Sequence, residues 1–169
     1  EQLRAWIEQR NRDVQVDVQL IPFKEMDGWY VDDEGSLRHN SGRFFTIQGI
    51  HVETDYGYTK AWDQPIINQP EIGYLGILTK EINGTLYFLM QAKIEPGNVN
   101  CVQISPTLQA TKSNYTRVHS GKRPNYLDYF LNAKPENIIL DQLQSEQGAR
   151  FLHKRHRNII IKIDADVPV

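Results

Sequence analysis

The sequence predicts an α+β domain, rich in sheet, with flanking helices and one main C-terminal helix. Three observations predict it. Apolar and polar residues alternate with a period of two over residues 14–20, 44–53, 74–82, 85–94 and 102–110, as they do in strands with one buried face. Helical spacing is confined to residues 2–11, 125–132 and 142–157. Asn83-Gly84 sits between two alternating runs, and both residues tolerate the positive φ of a type I′ hairpin turn.

In chain order, Leu3, Trp6 and Ile7 define a short amphipathic helix over residues 2–11. Val14, Val16, Val18 and Leu20 alternate with polar residues as a half-buried strand ended by Pro22. Asp27-Gly28 marks a turn. Residues 29–31 and 37–39 pair across 32–36, and Ser41-Gly42-Arg43 turns the chain again. Residues 44–53 form a strand that Gly49 breaks as a bulge. Residues 55–63 read as a loop; Pro65 and Pro70 confine the next segment to a sheet edge. The 74–82 and 85–94 strands form the hairpin. Residues 125–132 form a short helix followed by Pro135, residues 142–157 the main helix, and 159–163 a last strand. In that helix Lys154, Arg155, His156 and Arg157 fall in the final turn, where cations suit the dipole.

The chain has 169 residues, 40% hydrophobic and 24% charged, which suits a single domain spanning residues 1–169 with a real core. A net charge of −2 gives no reason to expect nucleic acid. Cys101 is the only cysteine, so no internal disulfide forms and a reducing cytoplasm fits. No apolar run reaches the roughly 18 residues of a membrane span. No signal peptide is evident, and the chain opens on Glu1 rather than Met, as a trimmed or partial product would.

Residues 91–115 organise the rest. Gln91, Lys93 and Glu95 share one face of a strand; beyond Pro96-Gly97-Asn98, Gln103, Ser105, Thr107, Gln109 and Thr111 share one face of the next. Leu86, Phe88, Met90, Ile94, Val102, Ile104 and Leu108 take the opposite, buried faces. Solvated sheet faces favour Lys, Glu and Arg. This one is mostly Gln, Ser and Thr, the residues of a groove that reads hydroxyls and carbonyls.

No GxGxxG follows a strand and no GxxxxGK[ST] occurs, so neither dinucleotide hydride transfer nor a P-loop is supported. There is no G-x-S-x-G elbow. His153 and His156 lie three apart in a basic stretch, which suits a solvated or phosphate-facing end better than a metal. The glutamate-rich helix of Nudix hydrolases is missing, which disfavours metal-dependent pyrophosphate cleavage.

WDQPIINQPEIGYLGIL (62–78), FLMQAKIEPGNVN (88–100), QISPTLQATKSNYTRVHSGKRPNYLDYF (103–130) and SEQGARFLHKRHRNIII (145–161) strongly resemble the nucleotide-diphosphate-hexose 2,3-dehydratases. GSLRHNSGRFFTIQGI (35–50) and LRAWIEQR (3–10) match as well. The resemblance implies a Nudix-like mixed sheet and one module of a family that usually has two in tandem. It implies a lyase acting on a dTDP-4-keto-6-deoxyhexose in deoxysugar biosynthesis. Water is eliminated across C2 and C3, and the enol tautomerises to a 3,4-diketo-2,6-dideoxy sugar, which a downstream 3-ketoreductase consumes. No cofactor or metal is called for. A homodimer or a sister repeat would supply the second module. The alternative is a non-catalytic sugar-nucleotide-binding module that supports a catalytic sister repeat.

The chemistry then suggests roles. Glu95 is the first candidate base, with Lys93 beside it as donor to the C4 oxygen. Two residues apart on a strand, their Cα atoms lie roughly 6–7 Å apart. Tyr115 or His119 supplies the acid. Gln91, Gln103, Ser105, Thr107 and Gln109 hold the sugar, joined by Asn98, Thr111 and Asn114. Trp62 beside Gln64 stacks on the nucleotide, and Arg117 or Arg155 takes the phosphate. Tyr115, His119 and Glu146 are the further candidate bases.

Overall fold

A computed structural model describes residues 1–111 and 123–168. It is α+β, mostly sheet with few helices. The helices are α1 (Gln2–Asp13) and α2 (Leu127–Leu131). The strands are β1 (Trp29–Val31), β2 (Leu37–His39), β3 (Thr46–Glu53), β4 (Ala61–Asn68), β5 (Gly73–Ile82), β6 (Thr85–Ile94), β7 (Val102–Pro106), β8 (Leu108–Ala110), β9 (Ile138–Ser145) and β10 (Arg155–Lys162). No helix among the described residues is long and apolar enough to cross a membrane. The chain divides into two compact units: the first comprises Glu1–Gln19, Gly73–Leu143 and Arg157–Val169, the second Leu20–Ile72 and Gln144–His156.

In the first unit the strands run in the order β7-β6-β5-β10-β9. β5 and β6 pair antiparallel from Leu78↔Leu89 to Ile82↔Thr85. Their turn is Asn83-Gly84, with φ of 52° and 75°, as the type I′ signal requires. Closer to its start, β5 pairs instead with β8, Tyr74 opposite Ala110 and Gly76 opposite Leu108. Thr107 fills the junction. Its hydroxyl accepts the Leu78 N–H at 3.0 Å and donates to the Leu89 carbonyl. The core holds Leu78, Leu108, Ala110, Leu127, Phe130, Ile159 and Ile161. Gly76 is obligatory here, because a Cβ would stand 2.4 Å from the Phe130 ring.

α1 extends the expected helix by two residues but buries none of its side chains. It is fastened through Asn11, whose amide accepts the Val102 N–H at 2.8 Å and donates to the Val102 carbonyl at 2.9 Å. β7 is an edge strand, and Asn11 satisfies its open backbone as a neighbouring strand would.

The second unit carries the sheet β1-β2-β3-β4. β1 and β2 pair as expected, Trp29 opposite His39 and Val31 opposite Leu37. The Trp29 ring packs on His39 and Phe45 at centroid distances of 5.2 and 5.0 Å. β3 and β4 pair without interruption from Thr46↔Asn68 to Glu53↔Ala61. β4 lies at the edge of this sheet, as Pro65 within it requires.

Four sequence readings are corrected. Residues 14–20 form no strand; Val18 and Leu20 are 55% and 101% exposed, since alternation alone makes no strand without a ladder partner. Gly49 makes no bulge, because it pairs one-to-one with Pro65. The expected main C-terminal helix at 142–157 does not exist: β9 and β10 occupy its two ends. The β-branched run Ile159-Ile160-Ile161 extends β10, and sheet pairing overrides the weak helical spacing. Finally, the apolar face of the β6–β7 pair is only partly buried: Val102 is 4% exposed, but Phe88 is 52% and Ile104 44% exposed, with Leu86, Met90 and Ile94 likewise open.

Candidate active site

The site is built on β6, β7 and β8 of the first unit. β6 and β7 pair antiparallel with Gln91 opposite Ser105 and Lys93 opposite Gln103, so these four residues share a face. Glu95 follows the end of β6. The turn after it is closed by the Asn98 N–H donating to the Glu95 carbonyl at 3.0 Å, and the Asn98 side chain donates to the Cys101 carbonyl at 3.4 Å. Asn98 therefore shapes the turn that positions Glu95.

Three side chains close a ring. Lys93 Nζ donates to Glu95 Oε1 at 2.7 Å and to Gln109 Oε1 at 2.8 Å. Gln109 Nε2 donates to the same Glu95 oxygen at 3.3 Å. The Ser105 hydroxyl joins at Gln109 Oε1, 3.3 Å away. Gln91 Nε2 donates to the Pro106 carbonyl at 2.8 Å. A cavity of about 410 Å³ opens onto this strip, lined by Gln91, Lys93 and Gln109 and by Trp6, Asn125 and Tyr126. Its size and mixed lining suit a small ligand. Glu95 is not among the lining residues; it meets the cavity through Lys93 and Gln109.

The arrangement supplies a cation, a carboxylate on the same hydrogen-bonded ring, and amide and hydroxyl groups able to donate or accept. That is the equipment of proton abstraction next to a carbonyl. Thr107 departs from the expected polar row, for its hydroxyl is consumed within the sheet and its side chain is buried. Gln103 is exposed, and Thr111 closes the described part of the strip. Asn114, Tyr115, Arg117 and His119 lie outside the described residues.

Trp62, Gln64, Glu146 and Arg155 belong to the second unit. The Trp62 indole N–H donates to Gln64 Oε1 at 2.8 Å, and Gln64 Nε2 to the Ala149 carbonyl at 2.8 Å. Glu146 pairs with His156 Nε2 at 3.1 Å. The run 154–157 is not the solvated helix end that its sequence suggests. Lys154 is 2% exposed, and its Nζ donates to the Glu71 carbonyl at 2.5 Å. Burial pushes its pKa down, against the pull of Glu71 and Glu146. In the first unit, Arg157 grips Asp141 through both oxygens and the Tyr74 hydroxyl at 2.9 Å. Of the four basic residues, Arg155 remains exposed. Among the described residues, no three His, Cys, Asp or Glu side chains gather as a metal site would require.

Trp6, Asn125 and Tyr126 escape a reading by sequence alone. Trp6 looks like the apolar stripe of a packed helix, yet α1 buries nothing. Tyr126 takes the left-handed conformation, φ 62°, which is rare outside glycine and often found at functional sites; sequence gives no sign of it.

The full chain, residues 1–169, matches the family model described as NDP-hexose 2,3-dehydratase. Three relatives carry the name dTDP-4-dehydro-6-deoxy-alpha-D-glucopyranose 2,3-dehydratase. The one from Amycolatopsis orientalis is 52% identical, matching 100% of this chain and 37% of its own length. Those from Saccharopolyspora spinosa and Streptomyces violaceoruber are 48% and 47% identical, over 99% and 98% of this chain and 35% and 38% of their own. The chain thus spans little more than a third of the length of these relatives. With a polar, cavity-lining strip of the kind such chemistry needs and a family match from end to end, the chain belongs to the NDP-hexose 2,3-dehydratase family.

Proposed function

We propose that the chain is a lyase module acting on a dTDP-4-keto-6-deoxyhexose, removing the C2 hydroxyl and the C3 hydrogen. The observation that carries this reading is the Lys93–Glu95–Gln109 ring at the cavity. Glu95 takes the C3 proton, which the C4 ketone acidifies. The electrons of the C3–H bond flow toward C4, and Lys93 stabilises the charge on the C4 oxygen. Hydroxide then leaves C2 with a proton from Tyr115 or His119. The resulting C2=C3 enol tautomerises to the 3,4-diketo-2,6-dideoxy sugar. Gln91, Gln103, Ser105, Gln109, Thr111 and Asn114 are proposed to hold the sugar, and Trp62, Gln64, Arg117 and Arg155 to serve the nucleotide. Glu146 is the alternative base. The elimination moves no net electrons, so the step calls for no redox cofactor.

The module is proposed to be Nudix-like and to pair with a second module, either another copy or a sister repeat. Two observations support pairing: the chain spans 35–38% of its relatives, and much of the apolar face of β6 and β7, Phe88 and Ile104 included, is exposed. That same partial coverage favours one other reading, a binding module that supports a catalytic sister repeat. The test incubates the purified chain with dTDP-4-keto-6-deoxyglucose and a 3-ketoreductase that traps the unstable diketone. Trapped 2,6-dideoxy product that survives EDTA supports the lyase. Substrate binding without product supports the binding module. Loss of product on EDTA treatment and its return with a divalent ion contradicts the mechanism.

A further inference from the structure

We propose that Trp6 is the stacking wall for the hexose ring, and that Asn11 is the positioning residue that holds it there. This rests on the reading that the cavity beside Lys93 takes the sugar. α1 would need no tryptophan if it merely packed against β7. Ile7 and Asn11 lie one turn apart and share a face, and Asn11 anchors that face to the Val102 backbone. Asn11 Nδ2 also donates to the Ile7 carbonyl at 3.0 Å, which ties the anchor to the helix's own backbone. Trp6 is turned about 100° from Ile7 around the helix. Its indole is 43% exposed and lines the cavity that Lys93, Gln91 and Gln109 also line.

A 6-deoxyhexose presents one set of groups that needs amides and charges and another that is only C–H. The strip on β6 and β8 meets the first. The electron-rich face of an indole suits the second, since polarised C–H groups are drawn to an aromatic face as ring edges are. Among the residues of this helix Ile7 and Asn11 alone are part-buried, so it holds that indole in place largely through its anchor. The two backbone hydrogen bonds of Asn11 are that anchor, five residues from Trp6 in the chain.

The tests are Trp6→Leu, Asn11→Ala and the double variant, each read by turnover, by ligand-induced tryptophan fluorescence, and by thermal unfolding. Trp6→Leu is expected to raise KM by about two- to tenfold, the usual loss of one aromatic contact, with kcat changed less than threefold. Asn11→Ala should raise KM similarly, and the double variant no further, because both remove the same contact. dTDP-glucose, which has no C4 ketone and does not eliminate, should change wild-type emission saturably. dTDP alone should give a smaller change, through Trp62, and the excess should vanish in Trp6→Leu. Turnover with unchanged KM in Trp6→Leu overturns the proposal while leaving the lyase reading intact. An equal emission change with dTDP alone leaves Trp6 without a contact to the hexose and also overturns it. Additive losses in the double variant overturn the role given to Asn11. A chain that binds neither ligand overturns both readings.

Discussion

Lys93 and Lys154 each have glutamates nearby, and their surroundings are opposite. The Lys93 side chain is 30% exposed; its ammonium lies 2.7 Å from a carboxylate and lines a cavity. Lys154 is 2% exposed, and its ammonium is given to a backbone carbonyl. A cation reachable from a cavity can meet a developing negative charge. A cation sealed inside a unit can only hold that unit together, and burial has already made its charged form costly, as its lowered pKa shows. In the sequence Lys154 stands in a basic run that suits a solvated or phosphate-facing end, and nothing local marks it as buried.

Substitution separates the two roles. Lys93→Met should cut turnover by about 10²–10³, the usual loss on removing one oxyanion donor, and change stability by less than about 1 kcal/mol, as for an exposed pair. Steady-state kinetics and urea unfolding check both. Lys154→Ala should do the reverse and cost about 2–4 kcal/mol, because it opens a cavity and deprives the Glu71 carbonyl of a donor. If Lys154→Ala unfolds like wild type, the buried lysine is not the brace of its unit.

A smaller effect belongs to Asp141 and Arg157. The hydrogen bonds from Arg157 hold the Asp141 carboxyl below its ordinary value. A depressed carboxyl stabilises the fold above its unfolded pKa, and that contribution is lost as pH falls through the folded one. Asp141→Asn should therefore cost about 1 kcal/mol at pH 7, and the gap to wild type should close below about pH 4. Denaturant unfolding across pH 3–7 measures it.

The smallest effect is at His51, which faces Asp63 at 2.7 Å and Glu53 at 3.4 Å on an open surface. The Asp63 hydrogen bond, then that of Glu53, raises its pKa above the ordinary histidine value. Its contribution is full below that ordinary value and fades as pH rises through the raised one. A histidine NMR titration should show the upward shift, and Asp63→Asn should reduce it.

What was legible in the sequence was local or strictly periodic. The Asn83-Gly84 hairpin needs only its own residues, and the period of two placed Gln91, Lys93, Ser105 and Gln103 on one face. What failed depended on distant partners. Residues 142–157 carry a plausible helical spacing, but sheet pairing between β9 and β10 claims its ends. Thr107 has the right parity for the polar row, yet the junction of β5, β6 and β8 takes its hydroxyl. Trp6 reaches the cavity because Asn11 fastens α1 to residues about ninety positions away, a contact no local pattern announces.

The most direct test of the account follows the C3 hydrogen of dTDP-4-keto-6-deoxyglucose in deuterated solvent, with wild type and with Glu95→Gln. If Glu95 removes that proton, wild type exchanges or eliminates it. Glu95→Gln should keep its fold and its dTDP affinity but lose exchange and turnover by about 10²–10⁴, the usual cost of a missing general base. Exchange at the wild-type rate in Glu95→Gln would contradict the account and move the base to another residue, with Glu146 next to test.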